Sequence, residues 1–237
     1  MPTQVPKDWL VLQPGGCCVA HPPREALRKQ VAVCIAGQVP RIFAQVEQTI
    51  QDNVIAPLGN AADTFLAVSG QMTRPPKLPY ANISHVPPSH SSEQLIRMAT
   101  TMAACYPMIT HAEARLRYEY SWVMRLRTDG VYTFTWGAGS SWVAAPPEDR
   151  AVYTTHCASR EPFKANDCAK DLPHEQECIA DQFAVMTRSA AAAYLTGILA
   201  ITGWDNRKGS LWPQFKGIPE CGLGLVLSQA NVRKRGA

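Results

Sequence analysis

Arg125, Arg127 and Asp129 stand together in one short stretch of the sequence. Residues 122–127 alternate apolar and other side chains with a period of two, which predicts a strand, and Thr128-Asp129-Gly130 predicts a turn after it. Because the arginines are two residues apart, they share one face of that strand. Two guanidinium groups and a carboxylate at the carboxyl end of a strand suit a phosphate-rich ligand, with or without a metal ion. A surface ion pair of little energetic value is the alternative interpretation.

A second stretch near the start of the chain suits the same kind of ligand. Residues 31–36 form a continuous apolar run, which predicts a strand buried on both faces of a parallel sheet. Gly37 and Gln38 end this run, and apolar residues then repeat at helical spacing up to Pro57, which is predicted to stop the helix. Gln38 and Arg41 would lie beside the helix N-terminus, where an anion is favoured. This beginning is typical of nucleotide-binding α/β domains, although the sequence has neither a complete Gly-x-Gly-x-x-Gly fingerprint nor a Walker sequence.

The remaining elements are predicted from periodicity and turn signals. Further strands are expected at residues 64–68, 83–86, 131–134, 152–155 and 183–186, with a last edge strand beginning at Val232. One helix is expected from Ser91 or Ser92, with Pro107 kinking or dividing it, and another from Ser189. Glu113 and Arg117 are four residues apart and are predicted to pair on the outer face of the first of these helices.

Length and charge limit the organisation and the partners. The chain has 237 residues and a formal net charge of +4. We expect a poorly structured lead-in over residues 1–30 and one domain over residues 31–237. The mild positive charge fits a small anionic ligand and does not indicate nucleic acid. The most apolar stretch, residues 190–201, is too short to cross a bilayer. Residues 1–23 do not have the pattern of a signal peptide, so we expect a cytosolic protein or a chain that lacks its targeting segment.

The chain has eight cysteines, an even number that permits disulfides without proving them. No pair has the two-residue spacing of a zinc site. Cys34 and Cys105 lie in apolar segments and are interpreted as small core residues. Cys157, Cys168 and Cys178 lie in or beside a long polar stretch, where a bridge would be useful.

Three stretches together resemble the nucleotide-sugar-dependent glycosyltransferases of the GT-A type. That pattern is an apolar strand ending in Gly-Gln with an arginine shortly after, a strand of the form Trp-Val-x-Arg-x-Arg-x-Asp, and Asp-Gln-Phe-Ala before a helix, with a later Pro-Glu. Here these are residues 35–38 with Arg41, residues 122–129, residues 181–184 and Pro219-Glu220. The chain looks most similar to glycosyltransferase-like proteins of plants, algae and bacterial polysaccharide clusters. The resemblance covers residues 31–232.

The resemblance implies an α/β fold with one GT-A-like, Rossmann-like domain, in which helices flank a mostly parallel central sheet. It implies a nucleotide-sugar donor over the carboxyl ends of the strands and a hydroxyl acceptor on a glycan, lipid or protein. The implied donor-binding residues are Gly37, Gln38, Arg41, Arg125, Arg127, Asp129 and Gln182. In such enzymes the acid at the position of Asp129 lies near the donor diphosphate, often with Mn²⁺ or Mg²⁺, and Asp181-Gln182 faces the acceptor. The resemblance also suggests the secretory pathway or the Golgi lumen.

The sequence departs from the GT-A pattern at the metal motif. That motif commonly has two aspartates separated by one residue, whereas the first position here is Arg127. Two alternatives therefore stay open. Asp129 holds Mg²⁺ or Mn²⁺ together with phosphate and water ligands, or Arg127 itself neutralises the diphosphate.

The chemistry of glycosyl transfer assigns further roles. Negative charge develops on the leaving diphosphate and has to be stabilised, which Arg41, Arg125 and Arg127 can do. An inverting reaction also needs a base for the proton of the acceptor hydroxyl. Asp181 is the predicted base, and its alternative interpretation is a helix-start or turn carboxylate stabilised by backbone N–H groups. Glu220 is the second candidate, although a carboxylate stabilised at a helix start is the preferred interpretation of Glu220.

Two other functions fit the same residues. One is a catalytically inactive GT-A-like domain that binds a glycan or a nucleotide, which the missing second aspartate favours. The other is an α/β interaction domain whose arginines are structural. The enzyme hypothesis requires Arg125, Arg127, Asp129 and Asp181 to line one cleft.

Overall fold

The computed structural model describes residues 30–39, 43–72, 74–87, 94–132, 150–154, 183–202, 223, 226–227 and 230–236. Seven strands form one sheet within these residues, in the order β3-β2-β1-β4-β6-β5-β7. The strands are β1 (Val31–Gln38), β2 (Ala62–Ser69), β3 (Asn82–Val86), β4 (Trp122–Arg127), β5 (Ala151–Thr154), β6 (Phe183–Thr187) and β7 (Arg233–Gly236). The longer helices are α1 (Phe43–Ile50), α2 (Gln94–Leu116) and α3 (Arg188–Thr202).

Parallel and antiparallel pairings both occur in this sheet. β1 pairs in parallel with β2 and β4, and β2 pairs in parallel with β3. β6 is antiparallel to β4 and β5, and β7 is parallel to β5. The predicted α/β class is confirmed, but the sheet is mixed and only partly parallel. The reason lies at β6, which enters the sheet at the edge where β4 ends, with Phe183 opposite Leu126.

The predicted strands are present with ends within two residues of those expected, except for the run at 131–134. Val131 and Tyr132 are not in a strand, and residues 133–134 lie outside the described part of the chain. A continuous apolar run predicts a strand of this kind because a strand that is buried on both faces of the sheet needs apolar side chains on both faces. β1 is an example, since Val31, Val33 and Ile35 face one apolar cluster while Ala32, Cys34 and Ala36 face the other.

The helix after β1 differs from its prediction near Pro57. The helical path leaves α1 through a π-helical turn, Gln51–Ile55, and continues as a short α-helical segment, Ala56–Leu58. Pro57 falls in the first turn of that segment, where the missing N–H of proline costs no hydrogen bond. Pro57 therefore does not stop the helix.

α2 packs against the sheet on the face opposite to α1. Met102, Cys105 and Ile109 of α2 lie in the same apolar cluster as Cys34 and Ala36 of β1. α2 continues without division through Pro107, an exposed residue. The contacts that α2 makes on both sides of Pro107 outweigh the single hydrogen bond that proline removes.

Cys34 and Cys105 form a disulfide, with their Cα atoms 5.9 Å apart. The interpretation of both as core residues is confirmed, because each is fully buried, whereas the bond between them was not predicted. Periodicity identified the face on which each cysteine lies and could not identify its partner 71 residues away. The bond fixes α2 to the middle of β1.

The predicted pairing of Glu113 with Arg117 is wrong. Glu113 is buried and forms two hydrogen bonds with Arg188, from Nε at 2.6 Å and from Nη2 at 2.7 Å. Arg117 follows the end of α2 with a φ of 58°. The guanidinium of Arg188 also lies over the ring of Tyr106, 5.1 Å from its centroid. The pair forms because α2 and α3 pack against each other on one face of the sheet.

None of the helices in the described ranges is long and apolar enough to cross a membrane. The lead-in predicted over residues 1–30 lies outside the described residues except for Gln30, so that prediction stands untested.

The disulfide is expected to stabilise the fold by about 2–4 kcal/mol, since it closes a long loop in the unfolded chain. Dithiothreitol should lower the midpoint of urea denaturation of the native protein by a corresponding amount. The matched control is the double variant Cys34→Ala/Cys105→Ala, whose midpoint should respond far less to the reductant. An equal response in both proteins would assign the effect to other cysteines.

Candidate functional site

The order of the strands places a topological switch point between β1 and β4. From β1 the chain moves outward through β2 to β3 and then returns to the other side of β1 as β4. α1 and α2 consequently cover opposite faces of the sheet. In open α/β sheets such a switch point leaves a crevice at the carboxyl ends of the two strands, where ligands bind. The residues at these ends are Gly37 and Gln38 on β1, and Arg127, Thr128 and Asp129 on β4.

The two strand ends are joined by Thr128. Its hydroxyl donates a hydrogen bond to the carbonyl oxygen of Gln38 at 2.9 Å, and Thr128 is buried. Gly37 makes this approach possible, because a Cβ at that position would overlap Oγ1 of Thr128. Glycine at position 37 is therefore required by the contact between β1 and β4.

Arg127 and Asp129 form a two-point ion pair at the end of β4. Nε of Arg127 donates to Oδ1 of Asp129 at 2.6 Å, and Nη2 donates to Oδ2 at 2.6 Å. The pKa of Asp129 lies below its ordinary value of 3.8, chiefly because of these hydrogen bonds, with smaller contributions from the charges of Arg127 and Arg125. Both side chains remain partly exposed, at 26% and 34%, so a ligand can reach this pair.

Arg125 is the most unusual residue of the site. It is 1% exposed, and its Nε and Nη1 atoms have no hydrogen-bond partner in the described structure. In the sheet it lies between Cys34 of β1 and Ala184 of β6. These small neighbours leave room for a guanidinium group. Burying a charge without a partner costs several kcal/mol, so an anion that pairs with Arg125 would recover much of that cost.

Two other buried charged side chains among the described residues show the usual behaviour. Glu47 pairs with Arg74 at 2.7 Å and accepts hydrogen bonds from the backbone N–H groups of Lys77 and Leu78. Glu113 pairs with Arg188 and also accepts from the N–H of Tyr120 at 3.1 Å. Both carboxylates are thus compensated, as buried charges normally are. Arg125 departs from that rule, because its buried Nε and Nη1 have no hydrogen-bond partner among the described residues.

Tyr132 belongs to the site and was not identified from the sequence. Its hydroxyl accepts a hydrogen bond from the N–H of Arg127 at 2.8 Å. Burial raises the pKa of Tyr132 to about 12, against the opposing charges of Arg125 and Arg127, so the phenol is neutral. The sequence suggested a β-prone run at this place, because aromatic and β-branched residues favour strands in general. Thr128-Asp129-Gly130 is a turn signal, and it could have indicated that the chain folds back.

The described residues do not by themselves form a site for a divalent cation. Arg127 already binds both carboxylate oxygens of Asp129. No group of three or more histidine, cysteine, aspartate or glutamate side chains suited to a metal ion occurs in the described part of the chain. Binding of Mn²⁺ or Mg²⁺ by Asp129 therefore stays a prediction.

The structure places four of the predicted site residues, Gly37, Gln38, Arg127 and Asp129, at the ends of β1 and β4, and Arg125 two residues before the end of β4. Arg41, Asp181, Gln182 and Glu220 lie outside the described residues. Phe183, which follows Gln182 in the sequence, begins β6 opposite Leu126. β6 thus starts at the same edge of the sheet as the Arg127–Asp129 pair.

Neither a protein-family model nor a curated protein sequence matches the chain. Its function has to be inferred from the site.

The Arg127–Asp129 pair should give the protein a specific dependence on pH. Because the pKa of Asp129 is depressed in the folded state, its contribution to stability is present above the ordinary pKa and is lost as pH falls through the folded value. The difference in unfolding free energy between native protein and Asp129→Asn should therefore shrink between pH 6 and about pH 3. Urea denaturation at each pH measures it.

The control for this experiment is Arg127→Met, which removes the main cause of the shift. In the Arg127→Met background, Asp129→Asn should show much less dependence on pH. A difference that stays constant with pH in the native background would contradict the ion pair.

Gly37→Ala should destabilise the protein by about 1–3 kcal/mol, because the new methyl group overlaps Thr128. A double-mutant cycle with Thr128→Ala tests the cause, since removal of the hydroxyl removes most of the overlap. The Gly37→Ala penalty should be smaller in the Thr128→Ala background. Additive penalties would mean that the two strand ends do not touch as described.

Proposed function

We propose that the protein is a glycosyltransferase that moves a sugar from a nucleotide-sugar donor to a hydroxyl acceptor. The observation that carries this proposal is the buried guanidinium of Arg125, which has two unpaired N–H-bearing nitrogens beside the switch point of the sheet. A binding site for an anion is the direct physical interpretation of that arrangement. The GT-A-like sequence motifs make the diphosphate of a nucleotide sugar the preferred anion.

The two arginines would have different tasks. Arg125 has two nitrogens without a hydrogen-bond partner among the described residues and would supply most of the favourable charge for a diphosphate. Arg127 is held by Asp129 at both carboxylate oxygens, so its orientation is fixed before the ligand arrives. When a charged group is oriented in advance, less reorganisation energy is needed as charge develops in the transition state. This arrangement supports diphosphate binding without a metal ion.

In the proposed reaction, the bond between the anomeric carbon and the diphosphate oxygen breaks, and its electron pair leaves with the diphosphate. The acceptor hydroxyl oxygen forms the new bond to the anomeric carbon, and a base takes its proton. Asp181 remains the proposed base and Glu220 the second candidate. The start of β6 at Phe183, two residues after Asp181 and opposite Leu126, supports Asp181.

The Cys34–Cys105 disulfide supports the compartment that the resemblance implies. Disulfides persist in oxidising compartments and are rare in the cytosol. We therefore propose the secretory pathway, including the Golgi lumen, as the place where this fold is maintained.

A second candidate function is a GT-A-like domain that binds a nucleotide without catalysis. The pairing of both Asp129 oxygens with Arg127 favours it, because that carboxylate is then not free to bind a metal ion. Nucleotide binding without sugar transfer or hydrolysis of any donor would identify this function.

The first experiment is a thermal-shift screen with UDP, GDP, CMP and their sugars, each with Mn²⁺ and with EDTA. A nucleotide that binds only the native state raises the melting temperature by mass action. We expect one nucleotide to do so in EDTA as well as in Mn²⁺, because the arginines supply the positive charge. If no nucleotide raises the melting temperature at millimolar concentration, the donor site is refuted.

Arg125→Met gives the sharper test, because a donor-binding arginine and a structural arginine predict opposite results. Methionine fills a similar space without charge, so the ligand-free melting temperature should stay unchanged or rise, while the nucleotide-induced shift disappears. Arg188→Met is the matched control. It leaves Glu113 unpaired and should lower the melting temperature, yet preserve the nucleotide-induced shift. A large loss of stability in Arg125→Met would instead make Arg125 structural.

A further inference from the structure

After β4 the chain folds back, and Tyr132 contacts the last residue of β4, Arg127. Within the described residues, the pairing of β6 with β4 reaches Leu126, which lies opposite Phe183. At the next residue the N–H of Arg127 donates to the hydroxyl oxygen of Tyr132 at 2.8 Å. Residues 127–132 therefore form a small closed loop, and this loop carries both members of the Arg127–Asp129 pair.

Tyr132 is itself fixed from two further sides. The helical path after β1 contributes Asn53, whose Nδ2 donates to the carbonyl oxygen of Tyr132 at 2.6 Å, and Thr49, whose hydroxyl lies 3.4 Å from the N–H of Tyr132. Asn53 belongs to the π-helical turn, a feature that often occurs at functional sites. The ring of Tyr132 packs on Phe183 with centroids 6.4 Å apart. Tyr132 is 3% exposed, so these contacts leave it almost no freedom.

Gly130 makes the closure possible. A Cβ at that position would come too close to the hydroxyl oxygen of Tyr132. Any side chain at position 130 would therefore push the hydroxyl away from Arg127. The glycine of the turn and the tyrosine two residues later act as one unit.

We propose that Tyr132 is a positioning residue, whose hydroxyl fixes the main chain of Arg127 so that its guanidinium meets the donor diphosphate. This inference rests on the proposed function, since it presupposes a diphosphate at the site. A neutral hydroxyl suits the task. It accepts the N–H of Arg127 without adding negative charge near Arg125, whereas a carboxylate there would compete with the phosphate for both arginines.

The test is Tyr132→Phe, which removes the hydroxyl and retains the ring that packs on Phe183. The dissociation constant of the nucleotide identified in the screen is measured by titration calorimetry, well below the melting temperature. We expect it to rise about tenfold, the equivalent of one hydrogen bond lost at the position of Arg127. Gly130→Ala should weaken binding in the native background and add little in Tyr132→Phe, because both changes break the same contact.

Tyr120→Phe is the matched control. Tyr120 is equally buried and precedes the same strand, and its hydroxyl donates to Asp63 at 2.7 Å. Because Asp63 lies at the start of β2, this bond is at the opposite end of the sheet. Tyr120→Phe should lower stability and leave the dissociation constant unchanged. A purely structural role of Tyr132 would give the same pattern in Tyr132→Phe and would overturn the inference.

Nucleotide binding to the native protein distinguishes a failure of this inference from a failure of the proposed function. If the native protein binds nucleotide and Tyr132→Phe binds it within twofold of the native affinity, the donor site stands and the role of Tyr132 is refuted. If the native protein binds no nucleotide, the donor site fails and the role of Tyr132 fails with it.

Discussion

A buried positive charge is the constraint around which the centre of the sheet is arranged. Arg125 lies on a strand that is paired on both sides, and its neighbours across the sheet are Cys34 and Ala184. Larger residues at those two positions would leave less room for the guanidinium group on that face. The disulfide to Cys105 fixes α2 over the same region. The fold therefore holds space around a charge that costs stability, which proteins retain mainly at functional sites.

Local contacts fix the carboxyl ends of β1 and β4. Thr128 ties the end of β4 to Gln38, and Gly37 provides the room for this tie. On the other side of β4, Tyr132 holds the N–H of Arg127. The main chain on both sides of Arg127 is thus fixed before any ligand binds. Such preorganisation lowers the entropy that binding would otherwise cost.

The sequence predicted what depends on neighbouring residues and missed what depends on distant ones. β1 and β4 were predicted because buried strands have a characteristic local pattern. The disulfide of Cys34 and the partner of Glu113 were missed, because both depend on how α2 packs against elements far away in the sequence. The candidate site also has features that depend on neighbouring residues and features that depend on distant ones. Arg125 and Arg127 were assigned to one strand face, whereas nothing local showed that Arg125 is unpaired and that Tyr132 folds back.

The difference between the two arginines also changes the role that Asp129 would have in the proposed site. Arg127 binds both oxygens of Asp129, so this carboxylate orients the guanidinium of Arg127. It also lowers the net positive charge at the exposed end of β4. Nε and Nη1 of Arg125, in the buried part, have no hydrogen-bond partner among the described residues. The positive charge of Arg125 would therefore attract a diphosphate. The guanidinium of Arg127, whose orientation is fixed, would align it. Asp129 would then act by holding Arg127 in place, and not as a ligand for a metal ion.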